Sequence, residues 1–120
     1  MSDIERFAEK YILFFEKEYI HDPRAYDRFF EGMEFANDCS ALGFEMDCGE
    51  SFVNAYGRTA WKDYQVLKDN IDRIEDTNII GAGLFSQWRY YNNWAYSKAD
   101  ENTRQWFLIL LYRLKDLELK

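Results

Sequence analysis

The residues best suited to chemistry in this chain are carboxylates, which crowd the first half without basic neighbours. No lysine or arginine occurs between Arg28 and Arg58. Six acidic residues fall in that interval: Glu31, Glu34, Asp38, Glu45, Asp47 and Glu50. A surface of one sign attracts an oppositely charged partner and speeds their encounter. The pattern predicts a docking surface for a basic protein partner, and the alternative is an ordinary solvated acidic surface.

Two of these carboxylates raise the question of catalysis or metal binding. Glu31 and Glu34 would share one face of a continuous helix, where paired carboxylates could exchange protons or hold a divalent cation. Helical di-metal sites, however, combine glutamates with paired Glu-x-x-His motifs. His21, the chain's one histidine, lies outside such a motif and is expected in a turn. The sequence therefore predicts no catalytic residue, no metal ligand and no cofactor.

Glycines in the second half suggest a phosphate-binding turn, which their context disfavours. Gly81-Ala82-Gly83 precedes a helical pattern, but Ser86 stands where a dinucleotide fingerprint has its third glycine. That fingerprint also requires a preceding strand, and a helix is expected there instead. The pair is better explained as a flexible helix start or as a close contact between helices.

Five aromatic residues stand among the nine residues 88–96. Trp88 and Tyr91 continue a helical apolar face, so at least one of Tyr90, Trp94 and Tyr96 should be partly exposed. Together with Arg89, these rings have the composition of a protein-interface hot spot. A stacking platform for single-stranded nucleic acid is disfavoured, because a net charge of −7 opposes phosphate contacts. Full burial in the core remains an alternative.

The compartment follows from the cysteines and from hydropathy. Cys39 and Cys48 are too few for a zinc site and are expected to be free thiols. The N-terminus lacks the basic start and apolar stretch of a signal peptide. No apolar run approaches the length of a membrane span. These features predict a cytoplasmic protein without a membrane segment.

Helical periodicity dominates the elements that must position these residues. The chain is expected to form one all-α domain over residues 1–120, a bundle of about five helices. Helices are predicted from about Asp3 to Ile20, from Pro23 to Asn37, from Thr59 to Ile74 and from Ile79 to Trp94. A last helix is predicted to start at Ser97 or Asp100 and to run to Leu117. Residues 42–48 could form a short extended segment, and residues 52–56 a short helix.

Three functions are consistent with this sequence. The first is a small acidic, non-enzymatic binding protein that docks on a basic partner and regulates or inhibits a nucleic-acid-handling protein. Immunity proteins and anti-defence inhibitors share its general profile, being short, acidic and rich in aromatics. The second is a ligand-binding or enzymatic bundle with an aromatic pocket around residues 88–96 and Arg89, Asn92 and Asn93 as polar contacts. The third is a structural subunit of a homo-oligomer.

Overall fold

The computed structural model describes residues 2–18, 24–44, 47, 49–95 and 100–119, apart from the side chains of Tyr26, Trp94 and Ala95. These residues form α-helices and no strand, which confirms the all-α prediction. The α-helices are α1 (Asp3–Leu13), α2 (Ala25–Glu31), α3 (Glu34–Ala41), α4 (Glu50–Tyr56), α5 (Arg58–Lys62), α6 (Tyr64–Asp69), α7 (Thr77–Tyr90) and α8 (Glu101–Glu118). Helices α1 and α7 continue as π-helical segments, Phe14–Glu18 and Tyr91–Ala95.

Polar caps start three of these helices close to where the sequence predicts them. The Ser2 hydroxyl accepts a hydrogen bond from the Glu5 backbone N–H at the start of α1. The Asp76 carboxylate accepts hydrogen bonds from the Asn78 and Ile79 backbone N–H groups in the first turn of α7. Asp100 and Thr103 form a reciprocal capping box at the start of α8. Each cap satisfies N–H groups that have no partner within the helix.

Aromatic rings from six helices, α1 to α4, α7 and α8, make up much of the core. Tyr11 lies edge-on to Phe35 with ring centroids 4.8 Å apart, and Phe15 stacks on Phe107 at 5.0 Å. Helix α7 runs through this core and is buried at every position from Ile80 to Trp88. A helix that is apolar on all sides is expected at such a central position. Most of the chain's rings therefore serve packing.

The predicted second helix is broken in the middle. Gly32 has an extended backbone, with φ −77° and ψ 170°, so α2 ends at Glu31 and α3 begins at Glu34. Met33 at the break is 56% exposed, although the sequence placed it on the apolar face. The break also means that Glu31 and Glu34 do not share the face of one helix.

The predicted helix from Thr59 to Ile74 is likewise not continuous. Asp63 has an extended backbone, and its side chain accepts the Gln65 backbone N–H, which ends α5 and starts α6. A 3₁₀ turn over Ile71–Arg73 completes the segment. The apolar face still points inward, since Leu67 and Ile74 are fully buried.

For residues 38–57 the sequence left open an extended segment at 42–48 and a short helix at 52–56. The short helix is present as α4. Leu42 and Gly43 form a turn, with Gly43 at φ 74°, a conformation that favours glycine. The predicted extended segment at 42–48 lies partly outside the described residues, because 45, 46 and 48 are not described. Within the described part of the chain, no helix has the length and apolarity needed to cross a membrane.

Candidate functional site

A cavity of about 170 Å³ lies where α5, α7 and α8 meet. Five rings line this aromatic cavity: Trp61, Tyr90, Tyr91, Trp106 and Phe107. The rings of Trp61 and Tyr90 are nearly perpendicular with centroids 5.6 Å apart, as are those of Tyr90 and Tyr91 at 5.2 Å. Tyr90 is 43% exposed. The prediction that at least one ring of the 88–96 run is partly exposed is therefore confirmed.

Both tryptophans of the aromatic cavity are fixed by their indole N–H groups. Trp61 donates to the Ser86 hydroxyl at 2.9 Å. Trp106 donates to the Ala60 carbonyl at 2.8 Å. Buried indoles usually find such a partner, because an unsatisfied N–H in the core is costly. These bonds hold both rings in place without a ligand.

Polar side chains complete the wall of the aromatic cavity. Gln87 is 6% exposed and donates its amide N–H to the Trp61 carbonyl. Asn102 donates to the Lys62 carbonyl at 3.1 Å. The Thr103 hydroxyl donates to the Tyr91 hydroxyl at 2.9 Å. Burial raises the pKa of Tyr91 despite that bond, so its phenol stays neutral near pH 7.

The aromatic cavity differs from the pocket that the sequence suggested. Arg89 is exposed, and neither it nor Asn93 is among the lining residues. Asn92 also lies outside the lining and donates to the Phe30 carbonyl. Trp88 is buried elsewhere and donates to the Phe29 carbonyl at 3.0 Å. The polar contacts predicted from the sequence therefore do not belong to this cavity, and a pocket formed by them stays a prediction.

Six of the nine described lining residues of the aromatic cavity come from α5 and α8 and not from the neighbourhood of residues 88–96. Trp61, Trp106, Asn102 and Thr103 belong to no sequence pattern that predicts a site. No local pattern joins α5 to the start of α8, because tertiary packing brings them together. Two other predicted residues, the side chain of Trp94 and all of Tyr96, lie outside the described residues.

Two of the predicted acidic residues form ion pairs with one lysine from α1, which offsets one of their two negative charges. Lys10 Nζ lies 2.7 Å from the carboxylates of both Glu34 and Asp38. The Tyr11 hydroxyl also donates to Asp38 at 2.6 Å. Burial would lower the pKa of Lys10, but its bonds to Asp38 and Glu34 outweigh that effect and raise it. Glu34 and Asp38 have no basic residue near them in sequence, but the fold brings Lys10 of α1 into contact with both. The expectation that these two acids lack a basic neighbour is therefore wrong.

A second cavity, of about 320 Å³, lies between the start of α4 and the start of α7. Its described lining is polar apart from one residue: Asp47, Glu50, Ser51, Asn54, Asn78 and Ile79. Both charged residues in that lining are acidic, so we call it the acidic cavity. Glu50 is exposed to solvent, while Asp47 is half-buried.

Asp47 is held in place by the backbone at the start of α4. Its carboxylate accepts the Gly49 N–H at 2.8 Å and the Ser51 N–H at 3.2 Å. Burial would raise the pKa of Asp47, but hydrogen bonds from Ser51, Gly49 and Glu50 outweigh it and hold the pKa below its usual value. The group is therefore a fixed negative charge near neutral pH.

The predicted acidic surface thus divides into parts with different surroundings. Glu34 and Asp38 belong to the ion-paired group on α1 and α3, whereas Asp47 and Glu50 line the acidic cavity. Glu31 is exposed at the end of α2. Glu45 lies outside the described residues.

The glycine pair packs closely and forms no phosphate-binding turn. Gly81 and Gly83 are buried inside α7. A Cβ on Gly81 would lie 2.2 Å from Cγ of Phe44, and one on Gly83 would lie 2.6 Å from Cδ2 of Phe52. Each glycine therefore makes room for a ring, as the close-contact interpretation predicted.

Thiol and metal chemistry finds little support among the described residues. Cys39 is a free thiol and is fully buried. Burial, and then the nearby charge of Asp38, raise its pKa well above the usual value, so it is a poor nucleophile. Cys48 and His21 lie outside the described residues. Within the described part of the chain, no three His, Cys, Asp or Glu side chains are grouped to hold a metal ion.

The fold and these cavities define an acidic, all-α protein with a central buried helix. No family model, curated protein sequence or solved structure matches this chain significantly.

Proposed function

We propose that this protein is a small non-enzymatic binding protein that docks on a basic protein surface. The observation that carries the proposal is the acidic cavity, where Asp47 and Glu50 are the charged groups of the described lining. A concave site with two carboxylates and two amide side chains suits a lysine or arginine of a partner. Carboxylate–guanidinium hydrogen bonds are shorter and stronger than those between neutral groups.

The state of Asp47 supports this choice of contact. Its hydrogen bonds to Gly49 and Ser51 fix the carboxylate before any partner arrives. A fixed group loses little conformational freedom on binding, which favours affinity. Glu50 is exposed and adds a second negative charge to the same cavity.

The remaining acidic residues contribute mainly through the overall field. Lys10 offsets one of the two charges of Glu34 and Asp38, so this pair would attract a partner less than the two carboxylates of the acidic cavity. The net charge of −7 adds long-range attraction, which raises the association rate more than the affinity. The same charge disfavours direct binding of nucleic acid.

A protein that handles nucleic acid fits the proposed partner best. Such proteins carry basic surfaces that neutralise phosphates. An acidic protein covering that surface would exclude the nucleic acid, which is how an immunity protein or an anti-defence inhibitor would act. Arg89 is exposed and adds a further contact in the same complex.

The test is to capture partners from the host, purify each one and measure its association kinetics against this chain. The informative variant is Asp47→Asn with Glu50→Gln, because asparagine keeps an oxygen for the N–H groups of α4. The matched control is Asp69→Asn with Asp72→Asn, which removes the same charge from exposed residues outside the acidic cavity.

We expect association to slow as salt rises, because exposed charges are screened beyond about 8 Å at physiological ionic strength. The variant at residues 47 and 50 should slow it severalfold at low salt, and the control pair should change it much less. A partner whose association ignores both salt and the first pair would refute the proposal. Equal slowing by both pairs would show that net charge acts without the cavity.

A further inference from the structure

We propose that the aromatic cavity binds a neutral single-ring aromatic molecule that carries a hydrogen-bond donor, such as a phenol or a pyrimidine base. This inference is independent of the proposed docking function, since none of the residues lining the acidic cavity takes part.

The volume of the aromatic cavity sets the size of the ligand. It is about 170 Å³, while an engineered cavity of about 150 Å³ in another protein binds benzene. Sites for larger ligands usually measure about 300–1,000 Å³. One six-membered ring with a small substituent therefore fits, and a whole nucleotide does not.

The walls of the aromatic cavity favour a flat ring. Trp61 and Tyr90 stand at 82° to each other, and Tyr90 and Tyr91 at 87°. Perpendicular walls let a bound ring stack on one face while meeting another edge-on, the two arrangements that aromatic pairs prefer. The indole hydrogen bonds of Trp61 and Trp106 fix these walls in advance.

An unused acceptor predicts the donor on the ligand. Gln87 is 6% exposed, and its amide nitrogen is engaged with the Trp61 carbonyl. Its Oε1 accepts no hydrogen bond from any described residue, although the side chain lines the cavity. An amide oxygen at the cavity wall can accept a hydrogen bond from water or, in its place, from a ligand O–H or N–H, so a ligand that carries a donor would gain about one net hydrogen bond over a ligand without one.

Charge around the aromatic cavity points to a neutral ligand. Among the described lining residues Lys62 alone carries a charge. Aromatic cages for quaternary ammonium ions work by cation–π attraction, and a positive lining residue opposes that. A neutral ring avoids this repulsion and loses little hydration on entry.

The test uses phenol as the probe and the indole N–H resonances of Trp61, Trp106 and Trp88 as the readout. Trp88 is the internal reference because it lies outside the lining of the cavity. We expect the Trp61 and Trp106 resonances to shift saturably at millimolar phenol while Trp88 does not move. Benzene lacks the donor and should bind about threefold to tenfold more weakly, as one net hydrogen bond implies.

Substitutions then locate the site. Tyr90→Leu removes a rim ring and should weaken phenol binding by about threefold to tenfold. The control, Tyr112→Leu, changes a tyrosine of similar exposure, 41% against 43%, that lies outside the cavity lining. Gln87→Met should bring phenol down to the affinity of benzene. If that variant does not fold, two measurements still test the inference. They are the comparison of Tyr90→Leu with Tyr112→Leu and the comparison of phenol with benzene.

Three results would overturn the inference. The first is the absence of a saturable shift at Trp61 and Trp106. The second is an equal shift at Trp88, which would show unspecific binding. The third is tighter binding of tetramethylammonium than of phenol, which would make the cavity a cation cage.

Discussion

Replacing Gly81 by alanine should destabilise the protein, although alanine is the better helix former. Gly81 lies inside α7, where the substitution alone would stabilise the helix by about 1 kcal/mol. The new Cβ, however, would lie 2.2 Å from Cγ of Phe44 and 2.3 Å from its Cδ1. Carbon atoms in contact normally stand about 3.5–4.0 Å apart, so the root of the ring must move by more than about 1 Å.

Phe44 has little room for that movement. It is 3% exposed, and its ring lies edge-on to Phe7 with centroids 5.6 Å apart. Overpacking of this kind costs about 1–3 kcal/mol, and the upper part of that range applies because the ring is blocked near its attachment. After the gain of about 1 kcal/mol from helix propensity is subtracted, we expect Gly81→Ala to lower the free energy of unfolding by about 1–2 kcal/mol, measured by urea denaturation with circular dichroism.

A double-mutant cycle with Phe44→Ala isolates the cause. In that background the obstructing ring is gone, so Gly81→Ala should stabilise by about 1 kcal/mol through helix propensity. The control is Gly57→Ala, where a Cβ meets nothing within 4 Å but φ is 93°. Its cost should be backbone strain alone and should not depend on Phe44. Gly81→Ala that stabilises the wild-type chain would refute this reasoning, and would reopen the interpretation of the pair as an exposed turn.

Three further predictions follow from buried groups. Trp106→Ala should cost about 3–5 kcal/mol of stability, because the ring is 2% exposed and its loss also frees the Ala60 carbonyl; a loss below about 0.5 kcal/mol on urea denaturation would contradict the orientation of α8. The Cys39 thiol should react with a thiol reagent only as fast as the protein unfolds, and fast labelling of the folded protein would show that it is not buried. Burial and the bond to Asp38 raise the pKa of Tyr11. The stability from that group is therefore complete below the unfolded pKa of about 10 and is lost as pH rises. Tyr11→Phe should reduce the fall in melting temperature above about pH 10, and an unchanged alkaline profile would count against the Asp38 bond.

Much of the fold could be predicted because its signals are local. Ser2, Asp76 and Asp100 cap helices through hydrogen bonds that span two or three residues, so the sequence alone shows them. The breaks at Gly32 and Asp63 could not be predicted, because the apolar pattern of the sequence continues across them. Leu67 and Ile74 remain buried across the interruption at Asp63. The spacing of apolar residues indicates which side chains point inward. Because a kinked chain can point the same side chains inward as a straight helix, this spacing does not show where a helix is interrupted.

The candidate sites were predicted less well, because each depends on residues distant in sequence. Counting charges along the chain showed an interval without lysine or arginine, but Lys10 from another helix pairs with Glu34 and Asp38 within it and offsets one of their two charges. Removing those two from the docking hypothesis leaves Asp47 and Glu50 as its strongest part among the described residues. The aromatic run likewise supplies only Tyr90 and Tyr91 to its cavity, and the other rings arrive from α5 and α8. Since the two cavities share no lining residue, substitutions in one should leave the function of the other intact, and each proposal can be tested by itself.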